Sequence, residues 1–261
     1  MKIAHESPNS IFKIVQALTD YDYCLVHLLD EDKEYLESFK QSKKLGREVI
    51  LDNSIFELGE AFNHERFAHW IKELEPDWYI VPDSLEKKEE TIRNYMEFMG
   101  THSNLPGKPI GVVQGKTYQE LVDCYKYYAS IEKIAMIAIS FDYSYYESLY
   151  PTLSKPEAWC NGRRTFLFKL MREKFFNPNI PIHLLGCSLP QEFEFYSDLD
   201  FIYSVDTSNP VVHGLLGIPY KDYGLRTKES VKLFTLIGAQ VDEQQTSLIT
   251  DNILKFRQFC N

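Results

Sequence analysis

An α/β fold, a single (β/α)8 TIM barrel, is what the sequence predicts, and three observations predict it. Short apolar runs rich in β-branched residues alternate with stretches that place apolar residues at helical spacing. Most of these runs stop at a polar or glycine-containing tip, as strands do when they deliver functional groups to the mouth of a barrel. The length of 261 residues with 44% hydrophobic content is enough for one barrel core. Helices between successive strands favour parallel pairing, because an antiparallel sheet needs only tight turns.

In chain order, a short amphipathic helix near Ile11 to Leu18 leads to a first strand within Tyr21 to Leu29. Asp32 to Ser42 has Tyr35, Leu36 and Phe39 on one helical face, and Gly46 ends it. The strand Val49 to Ser54 carries Asp52, Asn53 and Ser54 at its tip, and the helix around Glu65 to Leu74 stops before Pro76. Trp78 to Asp83 repeats the scheme, followed by the helix Leu85 to Met99, whose Met96 and Met99 read as core. Pro109 fixes the entry to the strand Ile110 to Gly115; the helix Tyr118 to Ile131 and the strand Ala135 to Ser140 follow.

Between Phe141 and Gly162 the rhythm breaks into an aromatic stretch, which reads either as a lid over the mouth or as a loop packed on its rim. Arg163 and Arg164 open a helix running to Lys174. Basic residues oppose the dipole at a helix start, so either a substrate phosphate or a carboxylate of the protein should compensate them. Pro181 to Cys187 is the sixth strand, Leu189 to Tyr196 its helix, and Phe201 to Asp206 the seventh. Leu215 to Ile218 either closes the barrel as the eighth strand or lies against it, and Thr227 to Ile237 and Thr250 to Phe259 read as C-terminal helices packed on the barrel, all within one domain of residues 1–261.

The formal net charge of −10 argues against a uniformly basic surface for coating nucleic acid, while leaving room for a local basic strip. Cys24, Cys124, Cys160, Cys187 and Cys260 are odd in number and contain no Cys-x-x-Cys pair, so neither a disulfide framework nor a structural zinc site is expected. No signal peptide is recognisable, and no run approaches the roughly 20 apolar residues that span a bilayer. A cytoplasmic protein with no membrane partner is the expectation.

If the strands are assigned correctly, Asp52, Asp83, Gln114, Gly186 and Asp206 converge on one pocket. Several carboxylates in one concave site let a nucleophile and an acid/base coexist with separated pKa values, which suits chemistry at a sugar carbon. Carboxylates also bind magnesium, but no His-x-His or cluster of strand-end histidines accompanies them, and no metal or cofactor is expected. His27 and His183 read as hydrogen-bonded core histidines; His213, close after Asp206, reads equally as a structural or a catalytic group.

These tips resemble those of the queuine and archaeosine tRNA-guanine transglycosylases. Val49 to Phe56 resembles the family's Asp-Ser-Gly-Gly-Phe stretch, and Asp77 to Asp83 its strand ending in a base-recognising aspartate. Gly111-Val-Val-Gln-Gly115 is similar to Gly-Ile-Val-Gln-Gly, His183-Leu-Leu-Gly186 to His-Leu-Leu-Gly, and Tyr203 to Gly214 to the nucleophile segment that ends in His-Gly. Asn53-Ser54-Ile55 stands in place of Ser-Gly-Gly, Ile139-Ser140-Phe141 lacks a glycine of the fifth family strand, and the zinc-binding module that follows the family's barrel is not found. The sequence is therefore most similar to the compact, phage-type DNA-guanine transglycosylases. That resemblance implies a pentosyltransferase that exchanges guanine in DNA for a 7-deazaguanine such as 7-cyano-7-deazaguanine, with tRNA, a nucleoside, or an inactive nucleobase-binding barrel as alternatives.

By the same resemblance Asp206 is the nucleophile and Asp52 the acid/base, while Asp83, Gln114 and the Gly186 backbone read the base beside Gly115 and Ser140. Phe56 or Tyr143 would line the space of the flipped base, His213 would stand close by, and Arg163 and Arg164 would contact phosphate. DNA and a free 7-deazaguanine are the implied partners, and a homodimer is the family's common assembly.

Overall fold

The computed structural model describes all 261 residues. In chain order the elements are β1 (Lys2–Ala4), α1 (Phe12–Gln16), β2 (Asp22–Leu25), α2 (Val26–Glu31), α3 (Lys33–Lys44), β3 (Val49–Asp52), α4 (Ile55–Leu58), α5 (His64–Leu74) and β4 (Trp78–Ile80). Then come α6 (Lys88–Thr101), β5 (Lys108–Val112), α7 (Tyr118–Ala129), β6 (Met136–Ser140), α8 (Ser144–Leu149), α9 (Lys155–Arg172), β7 (Ile182–Leu185), β8 (Ile202–Asp206), α10 (Asn209–Leu215) and α11 (Glu243–Phe259). All eight strands run parallel in the order β1-β8-β7-β6-β5-β4-β3-β2, a nearly closed (β/α)8 TIM barrel.

Register sets the level of the mouth. Ala4 pairs with Asp206, and Leu25 with Asp52, so both carboxylates stand at the C-terminal rim on either side of the β1–β2 seam. That seam has no strand pairing. It is held by the Asp20 amide donating to Ile3 O at 2.8 Å and the Ile3 amide donating to Asp20 Oδ2 at 2.9 Å.

Several expectations change. The first strand is Lys2–Ala4, too short to show any periodicity, so the run at Tyr21 holds the second strand and bends into α2 at Val26. The strand ending at Asp206 is consequently the eighth, and Leu215 to Ile218 is no strand: Leu215 ends α10 and Gly217 turns the chain at φ 72°. Met96 is exposed, whereas Met99 packs against the core. Leu189 to Tyr196 forms only a 3₁₀ turn over Pro190–Phe195.

The helix expected to open at Arg163 begins at Lys155, capped reciprocally by Ser154 and Glu157. Asn161-Gly162 reads as a break, but Gly162 lies inside α9 because a Cβ there would fall 2.1 Å from Tyr146 Cβ on α8. Within the aromatic stretch Tyr143 and Tyr146 are fully buried rim packing, whereas Phe141 and Trp159 face the barrel mouth. Thr227 to Ile237 is not a helix but an extended strap with one 3₁₀ turn at Leu233–Leu236. Its Leu233 enters a small apolar cluster with Val211, Val212, Ile249 and Ile253, and these tertiary contacts override the helical spacing. The last helix starts earlier than expected, at Glu243, behind a capping box between Asp242 and Gln245. No helix is long and apolar enough to cross a membrane.

Candidate active site

The C-terminal ends of the strands surround a cavity of about 400 Å³, a size that suits a base with its sugar. Asp52, Asp83, Gln114, Ser140, Gly186 and Asp206 all line it, brought together from six different strand ends. Phe56 is on its rim. A second void, bounded by His5, Gln16 and Tyr23, measures about 20 Å³, enough for one water and far too small for a base.

One side of the cavity is an amide and carboxylate cluster. Asp83, 1% exposed, accepts from Asn53 Nδ2 at Oδ1 and from Gln114 Nε2 at Oδ2, each at 2.7 Å. The Glu86 amide donates to Gln114 Oε1 at 2.8 Å, which fixes the orientation of the Gln114 amide. Burial pushes Asp83 up to about 6 despite these two donors. Each carboxylate oxygen can accept more than one hydrogen bond, so an ionised Asp83 can still take N–H groups from a ligand. Asn53, which replaces a small turn residue in the resembling motif, is thus a structural partner of Asp83. Its Oδ1 also accepts from the Ile55 amide at 3.0 Å and starts α4.

Asp206, at the end of β8, and Asp52, at the end of β3 beside the strand that leads to Asp83, are further carboxylates of the same cavity. His183 is fully buried, with Nδ1 2.8 Å from Ser204 Oγ and Nε2 3.0 Å from Asp206 Oδ1, the latter not aligned for a hydrogen bond. It is the core histidine expected, yet it also touches the candidate nucleophile. Tyr23 stacks on its ring at 5.9 Å and donates from its hydroxyl to Asp52 Oδ2 at 2.7 Å, so one chain of side chains links the two carboxylates. Burial, then the charge of Glu57, raises Asp52 well above the usual carboxylate range, against hydrogen bonds from Tyr23 and the Ser54 amide.

No family model and no curated protein matches the chain. What the site can do is therefore read from its geometry.

Two further carboxylates escaped the sequence reading. Glu6 follows β1 and Glu57 sits in α4, and both line the cavity half-buried. Burial raises both, Glu57 to about 7, and the charge of Asp206 adds to each shift. The floor beside Asp206 is thus an acidic cluster in which burial favours the protonated forms of Glu57, Glu6 and Asp52. Its members do not assemble into a three-ligand metal cluster.

Three candidates are displaced. Arg163 makes no contact outside the protein: it is fully buried, with Nε 2.7 Å from Glu192 Oε1 and Nη2 3.0 Å from Oε2, and it also donates to Leu185 O at 2.9 Å and Gly186 O at 3.1 Å. The protein carboxylate, not a substrate phosphate, compensates it. Arg164 stacks over Phe195 at 3.6 Å, outside the cavity. His213 is buried in α10, its Nδ1 2.8 Å from Asn209 O, also outside it.

Gly115 does not line the cavity either, because it faces α7, where a Cβ would meet Glu120 Cβ at 2.7 Å. Tyr143 is committed to the rim, with its hydroxyl donating to Val113 O and accepting from the Ser140 amide at 3.1 Å.

Gly186 has a specific task. At φ +64° it turns its amide toward Asp206 Oδ1, 3.4 Å away, and a Cβ would fall 2.5 Å from Phe141 Cδ1. Gly186→Ala is expected to cost about 1–2 kcal/mol in backbone strain alone and to push Phe141 into the cavity. Chemical denaturation and base titration will show both the lower stability and a weakened ligand. Phe141 and Phe56 already touch, with centroids 6.1 Å apart at 56°, whereas a base stacked between them needs parallel rings about 7 Å apart. They form one aromatic wall and not a sandwich.

Proposed function

We propose that the protein is a guanine transglycosylase, exchanging guanine in DNA for a 7-deazaguanine through a covalent aspartyl-glycosyl intermediate. The observation that carries this reading is one cavity that holds both a hydrogen-bonded pair suited to a base edge, Asp83 with Gln114, and two further carboxylates, Asp206 and Asp52. Guanine and 7-deazaguanines present N1–H and exocyclic N–H donors that an ionised Asp83 can accept, and a carbonyl that suits an amide donor.

In this reading an Asp206 oxygen attacks C1′ as the bond from C1′ to the base nitrogen breaks, leaving a glycosyl ester. Asp52, whose burial beside Glu57 favours its protonated form, gives its proton to the departing base. The incoming base returns a proton to Asp52 as its nitrogen attacks C1′ and releases Asp206. The choice of DNA over tRNA follows from the resemblance to the compact transglycosylases.

The test is incorporation of labelled guanine or 7-cyano-7-deazaguanine into a single-stranded DNA oligonucleotide. Absence of both exchange and a protein–DNA adduct, with DNA, tRNA and nucleoside each tried, overturns the proposal. A second reading, a ribosyltransferase acting on small nucleosides, is favoured by a floor of carboxyl groups that offers a phosphate no cation; exchange confined to nucleosides would support it.

The Asp83 carboxyl also predicts a pH dependence. With its folded value raised to about 6, it must be ionised to accept from the base, so base affinity falls about tenfold per pH unit below 6. The sign for stability is the opposite of that for binding. A raised carboxyl binds protons in the folded state that the unfolded chain has already released, so its contribution to stability is lost as pH rises from about 4 through 6. Calorimetric titration of 7-deazaguanine between pH 5 and pH 8 checks the first statement, and Asp83→Asn should flatten the profile.

A further inference from the structure

We propose that the strap over residues 226–233 is the phosphate-binding side of the site, with Lys228 engaging the phosphate of the acceptor nucleotide. The inference rests on the base-exchange reading and adds to it the position of the backbone. Lys228, Lys232 and Lys155 line the cavity together with the exposed Glu229 of the same strap, whereas Asp52 and Asp206, with Glu6 and Glu57, are its more buried carboxyls.

The three lysines are not equivalent. Lys155 pairs with Glu147 at 3.3 Å, and Lys232 donates to Phe56 O at 2.7 Å and Glu57 O at 3.1 Å, latching the strap to α4. Lys228 has neither an ion pair nor a hydrogen bond; its ammonium rests 4.2 Å from the centroid of Phe141, half-buried. Asp142 and Glu6 act on it only at longer range, and burial lowers its pKa. A partly desolvated ammonium without a counter-ion is costly unless an incoming anion completes it.

Substrate geometry places that anion. With the base at Asp83 and Gln114 and C1′ at Asp206, the remaining sugar substituents point to the opening. The floor offers a phosphate no cation, whereas the strap offers Lys228. This assigns to Lys228 the role that Arg163, buried against Glu192, cannot fill.

The experiment compares guanosine, its 5′-monophosphate and a short single-stranded oligonucleotide as acceptors for the wild-type chain, Lys228→Met and Lys228→Arg, by exchange kinetics and by equilibrium binding over a salt series. Phosphate-bearing acceptors are expected to bind about tenfold more tightly than the nucleoside. Lys228→Met should collapse that preference, Lys228→Arg should restore most of it, and the salt slope for the oligonucleotide should fall by about 0.7 in the Met variant. The monophosphate distinguishes a terminal phosphate from a chain phosphodiester as the group bound.

Equal use of nucleoside and nucleotide by the wild-type chain, or a preference that survives in Lys228→Met, overturns the assignment while leaving base exchange intact. Failure of all three acceptors to bind or exchange overturns both.

Discussion

Asp206→Ala is expected to abolish the covalent protein–sugar adduct and to lower exchange by about four orders of magnitude or more, the loss typical when a nucleophile is removed. The adduct is read by denaturing electrophoresis or mass spectrometry after mixing with an oligonucleotide, and binding of free 7-deazaguanine should persist because Asp83 and Gln114 are untouched. Persistence of base binding separates loss of chemistry from loss of fold. Asp206 is a reasonable nucleophile by position: it ends β8, is 6% exposed, and receives the Gly186 amide at 3.4 Å with His183 Nε2 at 3.0 Å. An adduct that still forms in Asp206→Ala would transfer the role to another carboxylate of the floor, with Glu6 the first to test.

The largest stability effect is expected from Arg163→Met, at about 3–5 kcal/mol, because the Glu192 carboxylate is left charged and fully buried. For a chain of this size that is roughly a 6–20 °C drop in melting temperature. Removing both partners, Arg163→Met with Glu192→Met, should recover part of the loss and not all of it. Arg163 also satisfies the carbonyls of Leu185 and Gly186, and Tyr196 donates to Glu192 Oε1 at 2.6 Å, so the double variant orphans those groups. Thermal denaturation of the three variants gives the answer, and full recovery in the double variant would show that the carbonyl contacts contribute nothing.

The strand tips were legible because each lies at the end of an apolar run long enough to register as a strand: Asp52, Asp83, Gln114 and Asp206 all reach the cavity. Glu6 was not, because the strand before it is three residues long. Arg163 showed that something must compensate a charge, but its partner lies 29 residues on, and only the folded chain brings Glu192 to it. Gly162 illustrates the converse: a glycine that reads as a break is a contact point between α8 and α9. The strap was misread because apolar residues at helical spacing also suit an extended segment pinned from both sides, by Leu233 below and by Lys232 to α4. For Arg163, Gly162 and the strap the missing information is a long-range partner, which periodicity does not encode.

The unpaired seam between β1 and β2 changes how the barrel can respond to what it holds. Everywhere else the circumference is fixed by ladders of amides, and altering it would break several at once. At the seam a single backbone hydrogen bond and one aspartate bridge the two edges, so the hoop has a clasp. Asp206 and Glu6 stand on one side of that clasp and Tyr23 with Asp52 on the other. A small opening there would move the two carboxylates apart, with the Asp83 cluster travelling with Asp52, because Asn53, next to Asp52, holds Asp83 on the adjoining strand tip. The spacing between Asp206 and Asp52 is thus the dimension of the mouth that this architecture leaves easiest to adjust.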